Sequence, residues 1–174
     1  MNPRPISLLE LRTEIDLALD ALGGGWRGPS DGRIKLVLGS REARNAVIRD
    51  LRRQPPTGTY VEFLAADGLF LSLLTLAQHV GINLDVYGAE ASLRALAVRF
   101  ATAGQRLVLI CDDVEHAAPH DLGYLCRGVS ATHNDVRDGK PGILLILMGT
   151  EGAAHRRVGE AWDHFTGIIS HDLA

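Results

Sequence analysis

The hydrophobic pattern switches repeatedly between two periods along the chain. Short, nearly continuous apolar runs predict buried strands, and the segments between them carry apolar residues at helical spacing. The strands are expected at 33–39, 59–65, 106–112, 142–148 and 166–171. The helices are expected at about 6–22, 41–53, 67–80, 88–103, 119–127 and 153–164, with a polar loop at 133–141. Strands that alternate with helices predict an α/β fold, in which a mainly parallel five-stranded sheet has helices on both faces.

Capping and proline signals fix several helix ends. Ser7, with Glu10 three residues later, has the sequence of a capping box before the first helix. Two prolines at 55–56 end the second helix. Asp67 is expected to cap the third helix, and Pro119 fits the first turn of the fifth.

The strand at 106–112 carries the first candidate site. Its apolar run ends in two adjacent carboxylates, Asp112 and Asp113. A buried parallel strand ends in this way when it delivers acids to a nucleotide and its metal ion. The strand therefore favours a nucleotide-binding α/β fold.

The strand at 33–39 ends where a phosphate-binding loop would lie. Gly39 is followed by a helical pattern, as in the motif G-x-x-x-x-G-K-[ST]. However, Arg44 stands at the second glycine of the motif, Asn45 at the lysine and Ala46 at the hydroxyl residue. The pattern is that of a nucleotide-hydrolysing fold that has lost its hold on phosphate.

Composition narrows the class of protein. The 174 residues predict a single domain, 1–174, and the net charge of −3 gives no support to nucleic-acid binding. Arginines are concentrated in the helix at 41–53. They form either a solvated helix face or a patch that binds an anion or a partner. Neither a membrane span nor a signal peptide is apparent, and Cys111 and Cys126 do not suggest a disulfide scaffold. We therefore expect a cytoplasmic protein, with recruitment to a membrane-bound complex left open.

The segments 104–119 and 142–152, together with the order of elements, resemble the core ATPase domain of ExeA-type proteins. These are AAA+-related P-loop ATPases of bacterial secretion and pilus systems, and they are similar to the ATPase subunits that serve transposases. The resemblance spans about 7–173 and implies a three-layer core with strand order 5-1-4-3-2. It also implies that residues 1–25 form a helix packed on the core and that the family's C-terminal helical lid is missing.

The resemblance assigns a role to each candidate residue. Asp112 takes the position of the metal-associated aspartate, and Asp113 replaces the glutamate that activates water. Thr150 lies near the residue that senses the terminal phosphate. The positions that match the phosphate loop are Gly39, Arg44, Asn45 and Ala46.

The departures from the family pattern indicate a pseudo-ATPase. Without the loop's glycine, lysine and hydroxyl residue, the backbone cradle, the positive charge and the Mg²⁺ ligand are all missing. We therefore expect no catalytic residue, no metal and no cofactor, and a role as a protein-binding scaffold, adaptor or regulator in a bacterial assembly. The partner would be a homologous subunit or a secretion or pilus component. The alternative is an atypical ATPase of a secretion, pilus or transposition system, which would use ATP and Mg²⁺.

Several residues allow two interpretations. In one interpretation, Asp112 and Asp113 bind a metal ion and activate water. We favour the other, in which they cap the next turn or pair with an arginine. Arg44 would be a displaced cation for phosphate or, as we prefer, a surface arginine.

His116 and His120 have a spacing seen in zinc sites, but Pro119 lies between them, which favours two exposed histidines. The arginines at 156–157 are interpreted as a solvated face and not as a finger toward a neighbouring nucleotide. Paired acids also occur in the receiver domains of response regulators. We set that interpretation aside, because a receiver domain has its paired acids after the first strand, whereas here they follow the third predicted strand.

Overall fold

Six parallel strands form one sheet in the computed structural model, which describes residues 4–22, 34–136, 140–161 and 168–173. The strands are β1 (Arg4–Ile6), β2 (Ile34–Leu38), β3 (Thr59–Leu64), β4 (Arg106–Cys111), β5 (Ile143–Gly149) and β6 (Ile168–Leu173). The helices are α1 (Leu8–Leu22), α2 (Arg41–Arg53), α3 (Leu69–His79), α4 (Ala89–Thr102), α5 (Pro119–Val136) and α6 (Ala153–Ala161). Short 3₁₀ turns lie at Ala66–Gly68 and Val114–His116.

The strand order is β1-β6-β2-β5-β4-β3. Without β1, this is the order 5-1-4-3-2 that the resemblance implied, and the parallel sheet with helices on both faces is confirmed. The difference is β1, since the sequence analysis placed no strand before the first helix. Its three residues pair with β6, so that Arg4 lies opposite His171 and Ile6 opposite Leu173. A strand this short has no hydrophobic period to detect.

Alternate residues of each central strand enter two separate cores. On β4, Leu107 and Leu109 pack in the core beneath α3, α4, α5 and α6, whereas Val108 and Ile110 pack in the core beneath α1 and α2. Both faces of the sheet are therefore covered. This explains why the central strands appear in the sequence as continuous apolar runs.

The helix ends partly follow their sequence signals. The capping box is confirmed, because the Ser7 N–H donates to Glu10 Oε2 (2.8 Å) and the Glu10 N–H donates to Ser7 Oγ (3.3 Å). The expected cap at Asp67 is wrong, because this residue lies inside a 3₁₀ turn and α3 begins after Gly68 with no side-chain cap.

The fifth helix is longer than its pattern predicted. It was expected to end near 127, with a polar loop from 133, but α5 continues to Val136. Val129 and Val136 are buried, and the buried Thr132 hydroxyl accepts a hydrogen bond from the Ile143 N–H (3.3 Å). Tertiary burial therefore keeps this polar segment helical.

Candidate functional site

The connection from β2 to α2 contains only Gly39 and Ser40. Ser40 caps the helix, since its Oγ accepts a hydrogen bond from the Ala43 N–H at 3.2 Å. The Gly39 N–H donates to the Gly149 carbonyl at the end of β5 (3.2 Å). As a result, the segment 41–46, expected to hold the end of a phosphate loop, forms the opening turns of α2. Within it, Asn45 is exposed and Ala46 is half-buried.

Gly39 has a packing role at the end of β2. A Cβ atom added here would lie 2.9 Å from Leu173 Cβ, at the end of β6. That distance is too short for a side chain, so the close approach of β6 requires glycine. The requirement does not depend on phosphate.

Arg44 is the central residue of the site. It points inward with Val47 and Leu51, and only 3% of its surface is exposed. One guanidinium nitrogen, Nη1, donates to Asp112 Oδ1 and also to Asp113 Oδ1, the latter at 2.9 Å. The interpretation of Arg44 as a surface arginine was therefore wrong. The acids form the arginine pairing that was favoured for them.

Asp112 and Asp113 keep the Arg44 guanidinium charged in its buried position. Burial alone would lower the pKa of Arg44, but the hydrogen bond with Asp113 and the charges of Asp112 and Asp113 outweigh burial, so the pKa is raised. The guanidinium therefore stays charged. Its Nε is buried and has no hydrogen-bond partner in the described part of the chain. Asp113 itself has φ of 53°, the left-handed region that aspartate tolerates better than most residues.

Glu115 is a site residue that the sequence analysis missed. Its Oε1 accepts hydrogen bonds from the Thr150 hydroxyl and from the Thr150 N–H (3.3 Å), and Arg157 Nε donates to its backbone carbonyl (3.2 Å). Its Oε2 is buried without a hydrogen-bond partner among the described residues. A Cβ on Gly149 would lie 2.4 Å from that oxygen, so the carboxylate fits only beside a glycine. The sequence could have pointed to Glu115, because it is a third acid after β4, two residues beyond Asp113.

The paired acids open onto a cleft between the ends of β3 and β4. Its volume is ≈ 640 Å³, and its lining comprises Leu64, Ala65, Ala66, Asp67, Asp112, Asp113 and His116. Over the described ranges, no group of three or more His, Cys, Asp or Glu residues is placed to hold a metal ion. The cleft is therefore acidic, and two of its three aspartates, Asp112 and Asp113, already form ion pairs with Arg44.

The remaining candidates lie around the site: His116 lines the same cleft, and Arg157 donates to the Glu115 carbonyl. His116 and His120 are both exposed, as expected, and His120 Nε2 lies 2.8 Å from an Asp121 carboxylate oxygen. Arg156 is exposed, whereas Arg157 is half-buried and lies 3.2 Å from Glu160. Among the helices that the structure describes, none has the length and apolar character needed to cross a membrane.

Comparison with known proteins identifies the fold. No family model matches the chain, and no curated protein sequence matches it. The ORC2 protein of Aeropyrum pernix in its ADP form has a TM-score of 0.55 at 18% identity, covering 98% of this chain and 49% of that one. The same protein in ADPNP–ADP complexes has a TM-score of 0.56 at 19% identity, covering 99% and 48%. Cdc6p of Pyrobaculum aerophilum has a TM-score of 0.52 at 19% identity, covering 91% and 44%.

The fold is AAA+-like. The chain spans about half the length of the solved structures that it matches. Because the identities are 18–19%, the likeness shows the AAA+-like fold alone. The narrower resemblance to ExeA-type proteins stays a prediction.

Proposed function

We propose that this chain is a non-hydrolysing relative of AAA+ ATPases that works by binding other proteins. It would act as a scaffold, adaptor or regulator within a bacterial multiprotein assembly. The observation that carries the proposal is the contact of one buried guanidinium, Arg44, with both Asp112 and Asp113. In an active relative these acids would hold the metal ion and activate water. Here they neutralise a side chain of the protein itself.

A second observation supports the loss of hydrolysis. A phosphate loop binds through backbone N–H groups that a glycine-rich turn leaves open, and through a lysine that neutralises charge. In this chain the helix begins at Arg41, directly after the Ser40 cap, so the Ala43 N–H donates to Ser40 Oγ and the Arg44 N–H donates to the Ser40 carbonyl. Asn45 brings no charge and Ala46 no metal ligand. Nucleotide binding would require the first turn of α2 to unwind and Arg44 to leave both carboxylates.

Arg44 also explains how the fold persists without nucleotide. It joins α2 to the end of β4, across 68 residues of sequence. In an active ATPase, the metal ion that accompanies the nucleotide would provide positive charge next to these acids. Here Arg44 provides that charge, so the proposed function lies at the protein surface. Its partner would be a homologous subunit or a secretion or pilus component.

Calorimetric titration of the full chain with ATP and Mg²⁺ tests the proposal. We expect no binding heat and no Mg²⁺-dependent hydrolysis, because the loop and its cation are missing. Arg49→Ala, an exposed arginine of the same helix, is the matched control and should behave as the unmodified chain does. Mg²⁺-dependent hydrolysis that Asp113→Asn abolishes would contradict the proposal.

The second candidate is an atypical ATPase that uses ATP and Mg²⁺. It is favoured by the solved neighbours that were obtained with ADP and ADPNP, and by the open cleft beside the acids. Arg44 would then turn from the carboxylates to the phosphates. This candidate requires ATP binding that Arg44→Ala weakens and Arg49→Ala leaves unchanged.

A further inference from the structure

The outer layer formed by α1 and α2 presents two faces of opposite character. On α1, Leu9 is 77% exposed and Leu17 is 53% exposed. They lie on one stripe with two exposed acids, Asp16 and Asp20, at the spacing of successive helical turns. The outward face of α1 is therefore both apolar and acidic.

The outward face of α2 is basic. It carries one exposed acid, Glu42, and four exposed arginines: Arg41, Arg49, Arg52 and Arg53. The Arg52 guanidinium carbon lies 4.5 Å from the centre of the Phe63 ring. The fifth arginine of the helix, Arg44, faces the core, so the basic stripe is a property of the solvent side alone.

The two faces lie side by side on the same molecule. Both helices cover the same side of the sheet, and Arg12 Nη1 lies 2.9 Å from Asp50 Oδ2 between them. Both follow strands of one parallel sheet, so they also run in the same direction. The surface thus consists of an acidic, leucine-bearing strip beside an arginine strip. We call it the α1–α2 surface.

We propose that the α1–α2 surface binds a second copy of this chain in a two-fold dimer. A two-fold axis uses the same surface on both subunits, so that surface must complement itself. Rotation about an axis that runs along the two helices and between them places the acidic α1 of each copy on the basic α2 of the other. The two contacts form together, and Leu9 and Leu17 of each α1 add apolar contact that charged faces alone lack.

The same arrangement disfavours a nucleic-acid backbone as the occupant. A phosphate chain that followed the arginines of α2 would pass beside Asp16 and Asp20 of α1, which repel it. The net charge of −3 gives no compensating attraction at longer range. The proposal is separate from the loss of hydrolysis, since the α1–α2 surface contains none of the nucleotide-site residues that face the cleft.

Charge reversal provides a self-checking experiment. The oligomeric state of the full chain would be measured by sedimentation velocity over a concentration series, and we expect a dimer. The pair Asp16→Arg with Asp20→Arg, and separately the pair Arg49→Glu with Arg53→Glu, should each raise the dimer dissociation constant by at least about tenfold, because like charges then oppose. An equimolar mixture of the two variants should restore dimers, because opposite charges meet again at both contacts.

Matched controls separate the surface from general effects of charge. Reversal of the exposed arginines of the opposite layer, Arg127→Glu with Arg156→Glu, should leave the dimer unchanged. Leu9→Ser with Leu17→Ser should weaken the dimer, whereas Leu71→Ser, at a leucine 66% exposed on α3, should not. Circular dichroism would confirm that each variant folds. A monomeric wild-type chain, a mixture that fails to reassociate, or DNA binding by a monomer through Arg49 and Arg53 would each overturn the proposal.

Discussion

At the scale of single residues, Arg44 decides the character of the site. Its removal leaves Asp112 and Asp113 next to each other without their cation, beside the buried end of β4. We expect Arg44→Ala to lower the free energy of unfolding by about 1–2 kcal/mol, less than for a fully buried ion pair, because the side chains of Asp112 and Asp113 are 23% and 39% exposed to solvent. Urea denaturation would measure the change.

The control for this prediction lies on the same helix. Arg49 is exposed, so Arg49→Ala should change the free energy of unfolding by no more than about 0.5 kcal/mol. Adding Asp112→Asn and Asp113→Asn to Arg44→Ala should recover part of the loss, because the uncompensated charge is removed. Equal stability of the two single variants would show that the ion pair contributes nothing.

The inward orientation of Arg44 could be predicted from the sequence, but its partners could not. Arg44, Val47 and Leu51 stand at i, i+3 and i+7 of one helix, which is the spacing of a single buried face. That spacing places the arginine inward. Its contacts could not be predicted in the same way, because Asp112 lies 68 residues away and the motif comparison treated position 44 only as a missing glycine.

At the scale of elements, the end of β5 depends on a glycine. A Cβ at Gly149 would lie 2.4 Å from Glu115 Oε2 and 2.7 Å from Ala154 Cβ. We expect Gly149→Ala to lower the free energy of unfolding by about 1–3 kcal/mol, because Glu115 or α6 must move. Thermal or urea denaturation would show the loss.

Gly68 supplies the matched control. A Cβ there meets nothing within 4 Å, and its φ is −143°. Gly68→Ala should therefore be close to neutral. A Gly149→Ala variant as stable as Gly68→Ala would mean that the contact between Glu115 and the strand end is loose.

Elements were predicted well where burial imposes a period and poorly where distant contacts decide. Continuous apolar runs located β4 and β5, since strands covered on both faces are mostly apolar. β1 was missed because its three residues gain their structure from β6, far along the chain. The last turns of α5 were missed because their burial, and not their composition, keeps them helical.

At the scale of the whole molecule, buried thiols link stability to pH. Burial raises the pKa of Cys111, beside Asp112, from 9.0 to about 12, and burial raises that of Cys126 to about 12 as well. The neutral thiols stabilise the fold fully below pH 9.0, and this contribution is lost as the pH rises toward about 12. The free energy of unfolding should therefore fall across that window.

The two tyrosines Tyr60 and Tyr124 have pKa values raised first by burial, which gives a decrease of the same sign. A Cys111→Ala, Cys126→Ala chain should keep only this smaller slope in urea denaturation measured on both sides of pH 9.0. Below that pH, the thiols of the native chain should also resist alkylation, because thiolate is the reactive form. Rapid native-state alkylation, or equal slopes for the two chains, would contradict the assignment.

The position of β6 has a consequence for how the chain is made. It is the last strand in sequence, yet it lies between β1 and β2, the first two. During synthesis, therefore, β1 and β2 are made before the strand that joins them, because β3, β4 and β5 come between β2 and β6 in the sequence. A chain cut before Ile168 would lose both sets of pairs, leaving β2 as an open edge and β1 without its strand partner in the described sheet. Such a product would be prone to aggregate rather than to survive as a slightly smaller domain.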